Sequence, residues 1–159
     1  MPDRRSQNYS ISDLRDRPQF ASTVAERVWN AWWRDQGFGL DHLQGLVDES
    51  LTSAGRPMAL VAHDGDTFLG TAHLIDDDLD ARPHYTPWVA AVWVDEAARK
   101  AGIGAALVRA AAEAAFRQGF GTVYLCAEPA KAGFYEGRGW RRIERDVDGL
   151  DVFSLSKPS

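Results

Sequence analysis

Arg99-Lys100-Ala101-Gly102-Ile103-Gly104-Ala105 joins an apolar run to an alanine-rich stretch, and the chemistry open to such a basic, glycine-bearing turn is anion binding. The run before it, Trp88 to Val94, is continuously apolar and rich in β-branched and aromatic residues, the pattern of a central strand buried on both faces. The stretch after it, from about Gly102 to Gln118, carries Ile103, Leu107, Ala110 and Ala114 at helical spacing. The first N–H groups of a helix have no intrahelical partner and lie at the positive end of its dipole, so a diphosphate can accept several hydrogen bonds there. Gly102 and Gly104 lack a Cβ that would hold phosphate oxygens away, and Arg99 and Lys100 add charge. A dinucleotide fingerprint would want a third glycine where Leu107 stands, and a P-loop would want Gly-Lys-Ser/Thr where Gly104-Ala105-Ala106 stands. A turn that merely needs glycines for its shape is the bland alternative.

Arg99-Lys100-Ala101-Gly102-Ile103-Gly104 resembles the Arg/Gln-x-x-Gly-x-Gly/Ala signature of the GNAT family of N-acetyltransferases. Phe134-Tyr135-Glu136-Gly137-Arg138-Gly139-Trp140 looks like that family's Phe-Tyr-x-x-x-Gly-Phe segment, with Trp140 in place of Phe. The family often has an asparagine ahead of the Phe-Tyr pair, and near Glu128 this chain has none. The resemblance implies acetyl-coenzyme A as co-substrate. Its pantetheine arm would lie between the strand ending at Val94 and the strand at Thr122 to Ala127, paired to backbone groups of Val92 and Val94. Amides from Lys100 through Ala101, Gly102, Ile103 and Gly104 to Ala105 would hold the pyrophosphate, with Phe134 beside the cofactor. A backbone N–H near Val92 or Trp93 would stabilise the oxyanion. Tyr135 would be the general acid that protonates the departing thiolate, its structural alternative being an aromatic packed beside Phe134.

The activity implied is transfer of acetyl to a primary amine of a small molecule by direct attack. A non-catalytic acyl-coenzyme A sensor, or an acetyltransferase acting on proteins or peptides, are the other readings of the same fold. The general base stays open. The run from Trp88 to Val94 holds no carboxylate; Glu128 follows the next strand, His73 has a side chain that ordinarily titrates near neutrality, and water alone can carry the proton away. Cys126 has no basic neighbour at obvious spacing and reads as a small buried residue. On the acceptor side, Trp29 and Trp33 stand one helical turn apart and can face a cationic amine or simply pack. Asp76, Asp77 and Asp78 could add attraction for such an amine, their bland reading being a solvated acidic loop.

The elements that must position these groups follow from periodicity and breakers. Tyr9 to Leu14 is a first strand, after a tail at 1–8. Pro18 opens a helix with Phe20, Val24, Val28, Ala31 and Trp32 inward, stopped by Gly37. Asp41 caps a second helix with Leu43, Leu46, Val47 and Leu51 inward. Two hairpins turn at Asp64-Gly65 and Asp148-Gly149, the second joining Trp140 to Arg145 with Leu150 to Leu155. A short helix spans Ala130 to Gly137. The order β, α, α, β, β, β, α, β, α, β, β predicts one α/β domain over 1–159: a mixed, largely antiparallel sheet flanked by helices, with a splayed central parallel pair.

Composition bounds the partners. A net charge of −5 gives no basic surplus for nucleic acid. One cysteine and four scattered histidines offer no metal-ligand pattern, so no metal is expected. No apolar run reaches the roughly 20 residues of a membrane span, and the polar start has no signal core, so a cytoplasmic protein is expected. The final hairpin leaves a homodimer open.

Overall fold

The computed structural model describes residues 8–159. The tail expected at 1–8 therefore lies, apart from Asn8, outside the described residues. The chain runs β1 (Ser10–Asp13), α1 (Ala21–Val28), α2 (Leu40–Thr52), β2 (Met58–Asp64), β3 (Thr67–Ile75), β4 (Trp88–Val94), α3 (Ile103–Arg117), β5 (Thr122–Ala127), α4 (Ala132–Glu136), β6 (Arg141–Val147) and β7 (Leu150–Ser156). The strands form one sheet in the order β1-β2-β3-β4-β5-β7-β6. All neighbours are antiparallel except β4 and β5, as expected for a mixed sheet with one parallel pair at its centre.

Both faces of the sheet are covered, which is why β2 reads as an unbroken apolar run. Successive residues of a strand point to opposite faces. Met58, Leu60 and Ala62 accordingly join Leu74, Leu107 and Val123 in the core beneath α3. Ala59 and Val61 join Val24, Val28, Leu43 and Val47 beneath α1 and α2. A third cluster, Leu79, Trp88, Val147 and Val152, seals the face opposite α3 near β5 and β7. The alanines of α3 let it lie close to the sheet: Ala111, Ala112, Ala114 and Ala115 are all buried.

Gly70 on β3 sets how closely these layers approach. A Cβ there would come within 2.7 Å of the Trp93 carbonyl oxygen and 3.1 Å of Leu107 Cδ1. Gly70→Ala must push backbone aside and is expected to cost about 1–3 kcal/mol. Thermal unfolding checks this, and a melting temperature equal to the parent's would refute it.

Three expectations need correction. Trp32 is 43% exposed instead of lying on the core stripe. After Val28 the helix widens into a π-turn over Trp29–Trp33, which breaks the 3.6-residue phase the stripe assumed. Gly39, not Asp41, is the N-cap of α2; Asp41 sits in the first turn, where its carboxylate accepts from the His42 amide at 3.1 Å. The helix thus starts earlier than read, and Leu46 faces solvent. Finally, β4 is buried on both faces only over Trp88–Ala90; from Ala91 to Val94 it is half-buried, because β5 has turned away.

Candidate active site

The parting of β4 from β5 is the central feature. The two strands share one register pair, Trp88 with Tyr124, and one hydrogen bond at their start, Tyr124 N to Pro87 O at 3.0 Å. Beyond that point they diverge, leaving the rest of β4 without a backbone partner on its β5 side. On its β3 side β4 carries a bulge. Thr71 pairs with Trp93 and His73 with Ala90, so one residue of β3 faces two of β4. Ala91 takes up the extra length at φ +50°. The positive φ in a residue with a Cβ is strain held by the surrounding sheet, and such strain concentrates at functional sites.

At the far end of β4 the chain makes the basic turn. Lys100 has φ +69° and Gly102 φ +80°, and Gly102 is the N-cap of α3 without any side chain satisfying the first amides. No atom lies within 4 Å of where a Gly102 Cβ would be, so the space in front of the helix start is open. Arg99 is folded back on the turn: its Nε donates to the Val94 carbonyl at 2.8 Å, and its guanidinium lies 4.7 Å from the centre of the Trp93 ring. The Val94 carbonyl is thus already engaged. Asp95 locks the same corner to α1, accepting from Trp93 Nε1 and Arg27 Nε, both at 2.9 Å. A cavity of about 280 Å³ adjoins Gly102 and is lined also by Ala105, Arg109, Arg138 and Trp140.

Tyr135 and Phe134 lie on α4. Tyr135 is packed against Trp140 and Phe153, and its hydroxyl has no hydrogen-bond partner among the described residues. Burial, and next the nearby Cys126, raise its pKa above the ordinary tyrosine value. Phe134 is exposed, with the Arg138 guanidinium 3.9 Å from its ring centre.

His73 reaches the bulge: its Nδ1 lies 3.4 Å from the Ala91 carbonyl, donating in the tautomer protonated there. Burial pushes its pKa down to about 4, so the imidazole is neutral at pH 7 and too weak a base to deprotonate an ammonium there. Glu128 is exposed at the end of β5. Trp29 donates through Nε1 to the Phe38 carbonyl, Trp33 packs on Phe38 and His42, and the exposed Trp32 meets Trp93 edge-on.

One pair was not legible in the sequence. Cys126, two residues past the bridge at Tyr124, donates its thiol to Asp78 Oδ2 at 3.3 Å. Asp78 comes from the loop between β3 and β4. Burial raises the Cys126 pKa to about 12, with the Asp78 charge adding to it, and burial raises Asp78 to about 6. Among three consecutive aspartates nothing in the sequence singles out this one; Asp76 instead pairs with Arg56. Among the described residues no group of three or more His, Cys, Asp or Glu is placed to hold a metal ion, and no helix is long and apolar enough to cross a membrane.

The arrangement thus combines a slot between diverging strands, an open, glycine-capped helix start that follows one of them, and a half-buried phenol packed on Trp140 and Phe153. The sequence profile of the Acetyltransferase (GNAT) family matches residues 25–140. No curated protein sequence matches. Among solved structures the chain is similar to an aminoglycoside 6'-N-acetyltransferase complexed with coenzyme A (18% identity, TM-score 0.72, covering 94% of this chain and 99% of that one). It is similar also to aminoglycoside 6'-acetyltransferase type Ii (21%, 0.71, 94% and 99%) and to an acetyltransferase from Streptococcus agalactiae 2603 (14%, 0.68, 95% and 99%). At these identities the structures speak for the fold alone, whereas the profile spans well over half of the chain and takes in β4, the turn, α3, β5 and α4: the chain belongs to the GNAT acetyltransferase family.

Proposed function

We propose that this protein moves an acetyl group from acetyl-coenzyme A to a primary amine of a small molecule by direct attack, as a cytoplasmic enzyme. The observation that carries the reading is the mid-sheet slot leading to an open, glycine-capped helix start. The residues fit the cofactor: the slot takes an extended chain with amides, the turn takes a diphosphate, and the cavity beside Gly102 adds the positive charges of Arg109 and Arg138.

Bound acetyl-coenzyme A would supply an activated thioester; everything else falls to the chain. The amides from Lys100 to Ala105 hold the diphosphate, helped by the Lys100 charge, while Arg99 stiffens the turn from behind. A backbone N–H near Val92 or Trp93, beside the bulge, would serve as the oxyanion donor. Tyr135, kept protonated by its raised pKa, donates to the leaving sulfur. Phe134 lines the cofactor's path. Direct attack is favoured over an acetyl-cysteine intermediate because Cys126, with a pKa near 12, stays a neutral thiol. An amine acceptor is supported by the two aminoglycoside acetyltransferases of like fold. Trp29 and Trp33, beside the exposed face of Trp32, would border it.

Acetyl-coenzyme A at a hundredfold excess over its Kd is expected to stabilise the protein by about 2.7 kcal/mol and raise its melting temperature by roughly 5–10 °C. Amine-dependent thiol release should follow with monoamines, polyamines or aminoglycosides. A melting temperature unmoved by saturating cofactor would end this reading.

A further inference from the structure

The slot has two sides, and the acceptor's proton needs somewhere to go on the side away from α3. We propose that Asp78 receives the acceptor's ammonium group at the point where β4 and β5 part, and takes its proton. The inference rests on the acetyl-transfer reading above and adds the base which that reading lacks.

Several observations converge. Asp78 is the one of three consecutive aspartates that reaches β5, where its Oδ2 accepts from Cys126, two residues beyond the single β4–β5 bridge. Its loop is held down in the residues that follow that contact. Leu79 is buried against Trp88, Val147 and Val152. Arg82 forks onto Glu144 of β6 at 2.6 to 3.0 Å, and the Tyr85 hydroxyl donates to the same carboxylate at 2.7 Å. The carboxyl is therefore delivered by a fixed loop. It is reached by solvent yet crowded by protein, as expected at the mouth of a cleft. It has no cationic partner among the described residues, whereas Asp76 has Arg56 and Asp95 has Arg27. A carboxylate left without a cation in such a place is open to a cationic ligand. Tyr135 packs on Phe153, which pairs with Leu125, the residue before Cys126, so the proposed proton donor stands beside the same stretch of β5.

The step balances. The ammonium R–NH3+ gives one proton to the Asp78 carboxylate, and the freed amine forms a bond to the thioester carbon as the carbon–sulfur bond breaks. Tyr135 protonates the departing sulfur and regains a proton from the acetylated nitrogen through water. Asp78 later returns its own proton to solvent, so one proton is released per turnover. The crowding that raises Asp78 to about 6 makes it a better base than an ordinary carboxylate. Cys126 is the group acting on it directly. Its own loop also carries Asp76, Asp77, Asp80, Arg82, His84 and Tyr85, of which Asp76 pairs with Arg56 while Arg82 and Tyr85 bond Glu144; β4 contributes none.

The test compares the parent, Asp78→Asn and Asp77→Asn, using kanamycin, spermidine and tyramine as probes. For Asp78→Asn, kcat/KM for the amine is expected to fall about 100-fold or more. The rise of the parent's kcat/KM through pH 6 is expected to disappear with it. Stabilisation by acetyl-coenzyme A should be unchanged, which also certifies the fold. Asp77→Asn should behave as the parent. Asp78→Asn with parent-like kcat/KM and pH profile, or a parent that releases no thiol with any of the three amines, overturns the assignment. Loss of cofactor stabilisation in the parent would instead remove the underlying reading.

Discussion

Gly102→Glu should weaken acetyl-coenzyme A binding by at least 100-fold while leaving a folded protein. Two effects combine and can be separated. The first is conformational: Gly102 caps α3 at φ +80°, and a residue with a Cβ costs about 1–2 kcal/mol there. Nothing stands within 4 Å of the added carbon, so no clash enlarges that cost. The second is electrostatic. The new carboxylate would occupy the space in front of the α3 amides and repel a diphosphate, and like charges brought together at a binding surface cost several kcal/mol. At about 1.4 kcal/mol per tenfold, the second effect alone exceeds 100-fold. Gly102→Ala carries only the conformational part and should lie between. Calorimetric titration with acetyl-coenzyme A measures both variants. A Gly102→Glu protein that binds as the parent does would detach the cofactor from this turn and take the proposed function with it.

Tyr135→Phe should lower kcat by roughly 10²- to 10⁴-fold, with the Kd for acetyl-coenzyme A within about twofold of the parent's. The ring does structural work that phenylalanine preserves, lying edge-on to Trp140 and tilted against Phe153 at 5.5 Å between centres. The hydroxyl has no partner in the protein among the described residues, so its removal orphans no other group. What is lost is a proton held on a phenol whose pKa is raised by burial and by Cys126. Steady-state rates alongside calorimetry separate the two quantities. An unchanged kcat would show that the thiolate leaves without help from this residue, which is chemically conceivable given an ordinary thiol pKa of about 8.5.

The sequence carried the strand–turn–helix unit because each part has a local cause. Apolar continuity marked β4, glycines marked the turn, and alanine-rich periodicity marked α3 to within a residue at each end. The hairpin turning at Asp148-Gly149 was legible for the same reason, Gly149 taking φ +84°. Features decided between elements were not. Whether β4 is covered along its whole length depends on where β5 goes, and no pattern within Trp88 to Val94 records that. The outward face of Trp32 depends on a π-turn that rotates the phase mid-helix. Asp78 looks like Asp76 and Asp77 until the loop is anchored by Leu79 and by Arg82 on Glu144. Cys126 carried no signal because its partner stands 48 residues away.

The strand order divides into two blocks contiguous in sequence, residues 10–94 and 122–156, stitched through the backbone at little more than Trp88 and Tyr124. Elsewhere the seam is closed by side chains: α3 lies across it, and Trp88 reaches Val147 and Val152 from the other face. A seam of that kind is where a molecule can breathe at less than the cost of global unfolding, and amides along it would exchange with solvent ahead of those in either block. A ligand gripped by both lips would act as a staple, so loading the enzyme would also quieten it.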